Sequence, residues 1–234
     1  MSGDFLHVVA GAIVDPADRI LIAQRPNGKH LGGGWEFPGG KLDPDEGRQQ
    51  GLARELREEI GIEVLRSRPL IRLKHHYADR AVLLDLWCVE EYIGEPRGLD
   101  GQQIRWCTRE DLLSVDLLAA DRPAVTALRL PSVIDSPAGS KYELIRFEEN
   151  ESGLLRVPAN PLARMRGVIC GSAVQANAAA QAGASFIVLN VVLPAQELAQ
   201  LCDQVNLPVY AAGVDLNTAW RCGATGIVRC AALP

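Results

Sequence analysis

The sequence predicts an α+β domain followed by a smaller domain of βα repeats, on three observations. Strand-like runs outnumber helical ones over residues 1–130, strands and helices alternate after residue 141, and a turn-rich stretch divides the two patterns. The chain has 234 residues, the length of one large or two ordinary domains. Charge density changes at the same place: residues 1–130 carry 17 basic and 21 acidic side chains, residues 131–234 only 7 and 8. We place domains at 1–130 and 141–234. The linker is 131–140, where Pro131-Ser132 and Asp135-Ser136-Pro137-Ala138-Gly139-Ser140 read as turn.

The elements follow from local pattern. His7–Val14 and Arg19–Gln24 are strand-like, and Asp15-Pro16-Ala17-Asp18 between them reads as the turn of a hairpin. A Gly-rich stretch, Leu31–Lys41, leads into a helix over Glu46–Ile60, where Leu52, Leu56 and Ile60 recur every four residues and Gly61 supplies the stop. Strands are expected at 70–77, 81–92 and 103–108, and a helix at 123–130. In the second part, strands at 142–147, 167–170, 186–191, 209–212 and 226–230 alternate with helices at 173–182, 195–206 and 217–222. That order belongs to a parallel sheet or part of a barrel.

Composition excludes several classes of function. A net charge of −5 argues against a nucleic-acid polymer as partner through bulk positive charge. No apolar run reaches a membrane span; Ala184–Ala195 is short and is broken by Asn190 and Pro194. The opening MSGDFLHVVAG lacks the charged and apolar regions of a signal peptide, so a cytoplasmic protein is expected. The six cysteines form no C-x-x-C pair and do not cluster with the histidines, which favours buried free thiols over zinc or disulfides. His75 and His76 are adjacent on a strand and so point to opposite faces, which prevents joint chelation.

Chemistry concentrates between Trp35 and Ile62. Glu55, Glu58 and Glu59 lie at i, i+3 and i+4 and share one helix face, opposite Leu52, Leu56 and Ile60. Like charges so placed repel by a few tenths of a kcal/mol per pair, about 0.2–0.5. Either the face is simply solvated, with Arg54 pairing Glu58, or a hard divalent cation relieves the repulsion. Phe37-Pro38-Gly39-Gly40 precedes it, a turn whose glycines allow close backbone approach to a ligand.

Gly40, Glu46, Arg54-Glu55 and Glu58-Glu59-Ile60-Gly61-Ile62 together read G-x5-E-x7-R-E-U-x-E-E-x-G-U, with U apolar, without a mismatch over 23 residues. This run resembles the Nudix box. Trp35–Lys41, Asp79-Arg80, Gly94-Glu95-Pro96 and Gly101-Gln102 resemble the MutT branch of that family, which hydrolyses oxidised guanine nucleoside triphosphates. The resemblance covers residues 1–130 and implies an α/β/α sandwich around a mixed sheet. It implies Mg²⁺ as cofactor, with Mn²⁺ as a substitute, held by Glu58 and Glu59 with Glu55 as ligand or water-activating base and the Gly40 carbonyl completing the shell. It implies that Arg54 orients Glu55, that Glu46 braces the loop or a water behind the metal ligands, and that Asp100 is a further loop carboxylate for the metal or the base. Arg25, Glu36 and Lys41 fall near the triphosphate or sugar, and Phe37 and Arg80 near the base. The implied reaction is the conversion of 8-oxo-dGTP to 8-oxo-dGMP and pyrophosphate, which sanitises the nucleotide pool. A Nudix pyrophosphatase for another nucleoside diphosphate derivative, and a non-catalytic nucleotide-binding regulator, are the alternatives.

One residue departs from the branch. Where its members read the purine with an Asn shortly before a Pro, this chain has Asp121 before Arg122-Pro123. An Asn amide offers an acceptor and a donor, an ionised Asp only acceptors. Asp121 is therefore protonated, reads another base edge, lies one residue out of alignment, or caps the following helix.

Residues 165–230 resemble the late βα units of thiamine-phosphate synthases, through Ala178–Leu189, Leu207–Val214 and Gly223–Ile227. About 100 residues are too few for a full barrel of roughly 200–250. The Thr- and Lys-bearing phosphate loop expected near Asn190–Pro194 is absent. A partial TIM-barrel-like domain with a structural role is expected, packing on the first domain or forming a homodimer; a bifunctional enzyme that also makes thiamine phosphate is the least favoured alternative.

Overall fold

A computed structural model describes residues 5–28, 30–137, 141–147, 165–229 and 233. The Cys230 thiol and the linker residues Ala138–Ser140 lie outside them. The chain divides into two compact units, Met1–Val125 and Thr126–Pro234.

The first unit runs β1 (Leu6–Ile13), β2 (Ile20–Gln24), β3 (Trp35–Glu36), β4 (Gly39–Lys41), α1 (Arg48–Ile60), β5 (Glu63–His76), β6 (Ala81–Ile93) and β7 (Ile104–Cys107). A 3-10 turn at Asp111–Leu113 follows, then α2 (Arg122–Arg129), within which the division falls. The strands form a mixed sheet, β4-β1-β6-β5, and a second sheet, β3-β2-β7. β1 runs parallel to β6 and antiparallel to β4.

The expected β1–β2 hairpin does not form. A single bridge, Val14 to Ile20, joins the two strands, which then part into different sheets. The turn itself is as read: Asp15 Oδ1 accepts the Ala17 and Arg19 N–H groups at 2.9 and 2.8 Å, and Asp18 is left-handed at φ 59°. The apolar run on each side carries no information about which partner it takes. β3 and β4, inside the Gly-rich stretch, were also beyond the reach of periodicity at two and three residues.

Helix α1 packs Leu52, Leu56 and Ile60, all fully buried, against Val9, Ile13, Leu21, Trp87 and Val89. Each is worth about 1.5–3 kcal/mol. Gly11 lets the helix come close, because a Cβ there would stand 2.9 Å from Leu56 Cδ1. Gly61 ends the helix in the left-handed conformation at φ 70°. The core contact thus fixes the helix rotation and turns its carboxylate face towards β4.

The second unit contains β8 (Val133–Ile134), β9 (Tyr142–Arg146), β10 (Met165–Cys170), α3 (Ala173–Gln181), β11 (Phe186–Leu189), α4 (Ala195–Gln204), β12 (Val209–Ala212), α5 (Leu216–Arg221) and β13 (Gly226–Val228). All six strands are parallel, in the order β8-β13-β12-β11-β10-β9. β8 and β9 are opposite edges, yet the Pro137 carbonyl, three residues after β8, accepts the Leu144 N–H of β9 at 2.8 Å. Three residues reach about 11 Å, whereas a flat six-stranded sheet is roughly 24 Å wide. The sheet is therefore rolled into a half-barrel. Its concave side is filled by the Tyr142, Phe186 and Tyr210 rings, stacked edge-on at 6.0 and 5.7 Å between centroids. Gly167 makes room for the Phe186 ring, 2.3 Å from where a Cβ would sit.

Among the described residues no helix is long and apolar enough to cross a membrane. Cys88, Cys107 and Cys170 are buried free thiols, Cys202 is buried, and Cys222 is a half-buried thiol.

Candidate active site

The segment that carries the chemistry folds around Arg54. Its guanidinium donates to Glu46 Oε1 and Oε2 at 2.9 and 2.8 Å, to Glu55 Oε1 at 2.8 Å and to the Lys41 carbonyl at 3.1 Å, with a longer bond to Glu58 at 3.4 Å. The planar fork matches this many acceptors as an ammonium could not. Hydrogen bonds to Glu46 and Glu55 raise the Arg54 pKa, and the bond to Arg54 lowers that of Glu46. Glu46 also accepts the Asp43 N–H at 3.2 Å, tying loop to helix.

The three helix carboxylates have different surroundings. Glu55 is largely buried and lies against Gly40. Glu59 Oε2 accepts the Gly39 N–H at 3.0 Å. Glu58 is 61% exposed and points out beside Arg54. Gly39 has a packing reason as well: at φ 153°, a Cβ would stand 2.2 Å from the Val9 carbonyl oxygen.

Two adjoining spaces meet here. The first, a cavity of about 130 Å³, is walled by Leu6, Val8, Phe37, Val82, Leu84 and Leu118, with Asp121 at its edge. The second, a cleft of about 560 Å³, is polar and includes Glu55, Glu59, Asp100 and Gln102. Arg25, His30, Glu36, Gly39, Gly40, Lys41 and Arg80 line both. Arg25 Nη1 holds the Glu36 carboxylate at 2.7 and 3.0 Å, and Arg80 pairs with Asp79 at 2.8 Å. The sequence-derived residues therefore converge, except that Glu58, together with Arg54 and Glu46 beside Glu55, stands outside the cleft lining.

Asp121 is 5% exposed, and its Oδ1 accepts the Phe37 N–H at 3.4 Å. Burial, with the nearby Glu36 charge, pushes its pKa up to about 8, against the opposing pull of the Phe37 N–H and Arg25. A carboxyl shifted this far upward is held mostly protonated near neutral pH and then carries a donor. This departs from the ionised group its residue type suggests.

Sequence reasoning missed His30 and Tyr77 and took Gln102 only as part of a motif, with no role. His30 sits where cavity and cleft join; its Nδ1 is 3.5 Å from Asp79, and its Nε2 is buried with no hydrogen-bond partner among the described residues. Its only signal was its place in a Gly-rich loop. Tyr77 lines the cavity and its hydroxyl accepts the Ala120 N–H at 3.3 Å. His75 and His76 do part as expected, the first onto Tyr77 and the second onto Phe5.

The donors suit a hard divalent cation in kind: carboxylate and carbonyl oxygens only, with the Glu55 carboxylate lying in the space a Cβ at residue 40 would fill. Among the described residues no three His, Cys, Asp or Glu side chains are gathered closely enough to hold a metal. Arg54 and the Gly39 N–H take the carboxylates instead.

A model of the NUDIX domain matches residues 9–127. The 8-oxo-dGTP diphosphatase of Proteus vulgaris is 47% identical over 90 residues, covering 38% of this chain and 80% of that protein. The CTP pyrophosphohydrolase of Escherichia coli is 38% identical over 119 residues, covering 51% and 88%. The 8-oxo-dGTP diphosphatase of Escherichia coli is 33% identical over 124 residues, covering 53% and 96%. The crystal structure of a MutT protein from Methanosarcina mazei Go1 shares the fold, with a TM-score of 0.51 at 21% identity over 55% of this chain and 95% of that one.

Proposed function

This chain belongs to the Nudix family, and we propose that it hydrolyses oxidised purine nucleoside triphosphates, 8-oxo-dGTP foremost, to the monophosphate and pyrophosphate. The observation that carries this reading is the junction of a mostly apolar cavity holding a neutral Asp121 with a polar cleft holding Glu55 and Glu59. The cavity takes the base and the cleft takes the polyphosphate.

Glu58, Glu59, Glu55 and the Gly40 carbonyl would hold a divalent cation, Mg²⁺ in the first place, with Asp100 as a further carboxylate. The bound cation supplies charge neutralisation at the polyphosphate. Arg25 and Lys41 add positive charge along the same path, while Glu36 fixes Arg25. Arg54 orients Glu55 and is itself braced by Glu46. Glu55 accepts the proton of a water attacking the β-phosphorus; the bond from that phosphorus to the α,β-bridging oxygen breaks, and that oxygen leaves with the nucleoside monophosphate.

In the cavity, Phe37 and Arg80 bound the base. The neutral Asp121 presents a carbonyl acceptor and a hydroxyl donor. That pair complements the N7–H and O6 of 8-oxoguanine and leaves guanine, with two acceptors on that edge, half satisfied. The same pair complements the amino group and N3 of cytosine. A second reading, CTP hydrolysis, therefore has support from Asp121 and from a relative named for that activity.

For the second unit we propose a structural role, including self-association into a homodimer, and no thiamine-phosphate synthesis, because aromatic side chains fill its concave side. Light scattering on the full chain, showing a monomer at all concentrations, would remove the dimer.

The deciding experiment is hydrolysis of 8-oxo-dGTP, dGTP, CTP and ADP-ribose by the full chain with Mg²⁺. Fastest pyrophosphate release from 8-oxo-dGTP supports the first reading and fastest release from CTP the second. Preference for ADP-ribose overturns both.

A further inference from the structure

The C-terminal end of α1 is completed by the chain that carries Asp100. A helix leaves its last carbonyls without intrahelical donors. Here the segment after β6 supplies them: Arg97 N–H donates to the Ile60 carbonyl at 3.0 Å and Leu99 N–H to the Glu59 carbonyl at 2.9 Å. The Gln102 side chain adds a second donor, Nε2, to that same Glu59 carbonyl at 3.0 Å. Its other end, Oε1, accepts the Asp100 N–H at 2.8 Å. One amide therefore bridges the backbone of one cleft carboxylate to the backbone of another.

The local chain is built for this closeness. A Cβ at Gly98 would stand 2.0 Å from the Gln102 carbonyl oxygen, and Gly101 adopts φ 77°. Both ends of the Gln102 amide are used, donor to carbonyl and acceptor from N–H, so its orientation is fixed by chemistry. A loop that only capped the helix would need the two backbone donors alone. Gln102 instead reaches into the cleft lining beside Glu59 and Asp100.

We propose that Gln102 is a positioning residue: it sets the Asp100 turn against the Glu59 turn, so that the two carboxylates serve one bound cation. This rests on the reading of the cleft as the cation and polyphosphate site.

The test measures cation binding without turnover, by calorimetric titration of the nucleotide-free full chain with Mn²⁺. Outer-shell partners of metal ligands typically contribute 10- to 100-fold in affinity. Gln102→Met, which keeps the length and loses both hydrogen bonds, is expected to weaken Mn²⁺ binding by about tenfold. In an Asp100→Asn background the same change is expected to add nothing, since the two act as one unit. Wild-type affinity in Gln102→Met, or penalties that simply add in the double variant, overturns the proposal. Hydrogen exchange on the wild type covers the case in which the variant does not fold: Mg²⁺ should slow exchange at Leu99 and Asp100 together with the last turn of α1, and unchanged exchange at 97–102 overturns the coupling. A wild type that binds no cation overturns the cleft reading and this proposal with it. Cation-dependent hydrolysis with a silent Gln102→Met removes the positioning role alone.

Discussion

Glu55 occupies the space that a side chain at residue 40 would need: a Cβ on Gly40 would stand 2.2 Å from Glu55 Oε2. The backbone at residue 40 cannot retreat, whereas the Glu55 carboxylate, at the end of a flexible side chain, moves only by giving up its bond to Arg54. β4 is held by its ladder to β1, and Glu55 by Arg54 and by the packing of Leu56 beside Gly11.

Gly40→Ala should therefore inactivate without unfolding. The methyl group displaces the end of a side chain, so the fold survives while the carboxylate is misplaced, and kcat should fall by tenfold or more, in line with the roughly 10²-fold cost of a 1 Å misplacement. Gly39→Ala should do the opposite kind of damage. Its Cβ meets backbone, at 2.2 Å from the Val9 carbonyl oxygen and 2.6 Å from Ala10 Cα, so the melting temperature should drop sharply. Thermal melts and steady-state rates of both variants check the pair.

Arg54→Lys should separate rate from binding. Lysine keeps the charge but cannot reach Glu46, Glu55 and the Lys41 carbonyl together. Losing one hydrogen bond between charged groups costs about 1.5–3 kcal/mol, roughly a tenfold to hundredfold rate loss if it is needed in the transition state. kcat should fall on that scale while the nucleotide KM stays near wild type; a raised KM with intact kcat would place Arg54 on the substrate instead.

These variants lie in the part of the site that was legible in the sequence, and the reason is local. Leu52, Leu56 and Ile60 fix one helix face, so the spacing of Glu55 and Glu59 already decides where they point. The half-barrel was legible for the same reason, since βα alternation dictates parallel pairing. What failed depends on partners distant in sequence. β1 and β2 look like a hairpin until one sees that β6 and β7 take them into separate sheets. The pKa of Asp121 was undecidable because it is set by walls from β1, β4 and β6, and nothing within a few residues of Asp121 reports them. Gln102 was noticed as part of a motif, but its bond to Glu59, 43 residues away, has no periodicity to betray it.

Asp85 should govern acid stability. It is 2% exposed beneath α1, with Arg48 Nη1 at 3.0 Å and His7 Nε2 at 3.6 Å. Burial alone would raise its pKa; the nearby His7 imidazole and the charges of Arg48 and Arg72 outweigh it and hold the carboxyl below its ordinary value. Its contribution is present above the unfolded value near pH 4 and is lost as pH falls through the lower folded value. Asp85→Asn should cost about 3 kcal/mol at pH 7, the low end for breaking a buried pair because Arg48 is one-third exposed. Urea unfolding from pH 7 to pH 3 should show the gap between variant and wild type closing only below about pH 4.

Asp121 works with the opposite sign. Its folded pKa of about 8 stands far above the ordinary 3.8, so between these values the folded protein holds a proton that the unfolded chain has released. Stability must then fall as pH rises through that window, by up to about 1.4 kcal/mol per pH unit. Asp121→Asn removes the proton and with it the slope: the variant should match wild type near pH 4 and exceed it in stability by pH 8. The same change tests base choice, because Glu36, Arg25, Tyr77 and the Phe37 N–H, which face or influence Asp121, remain in place. Above pH 8 the ionised carboxylate offers only acceptors, which disfavours the N7–H and O6 edge of 8-oxoguanine and favours the N1–H and 2-amino edge, which guanine and 8-oxoguanine share, so discrimination is lost. The ratio of kcat/KM for 8-oxo-dGTP to that for dGTP should therefore fall above pH 8 in the wild type and stay level in Asp121→Asn. Taking the ratio cancels the pH dependence of the hydrolytic step, which both substrates share. A ratio that is flat in both proteins would mean that Asp121 does not read the base.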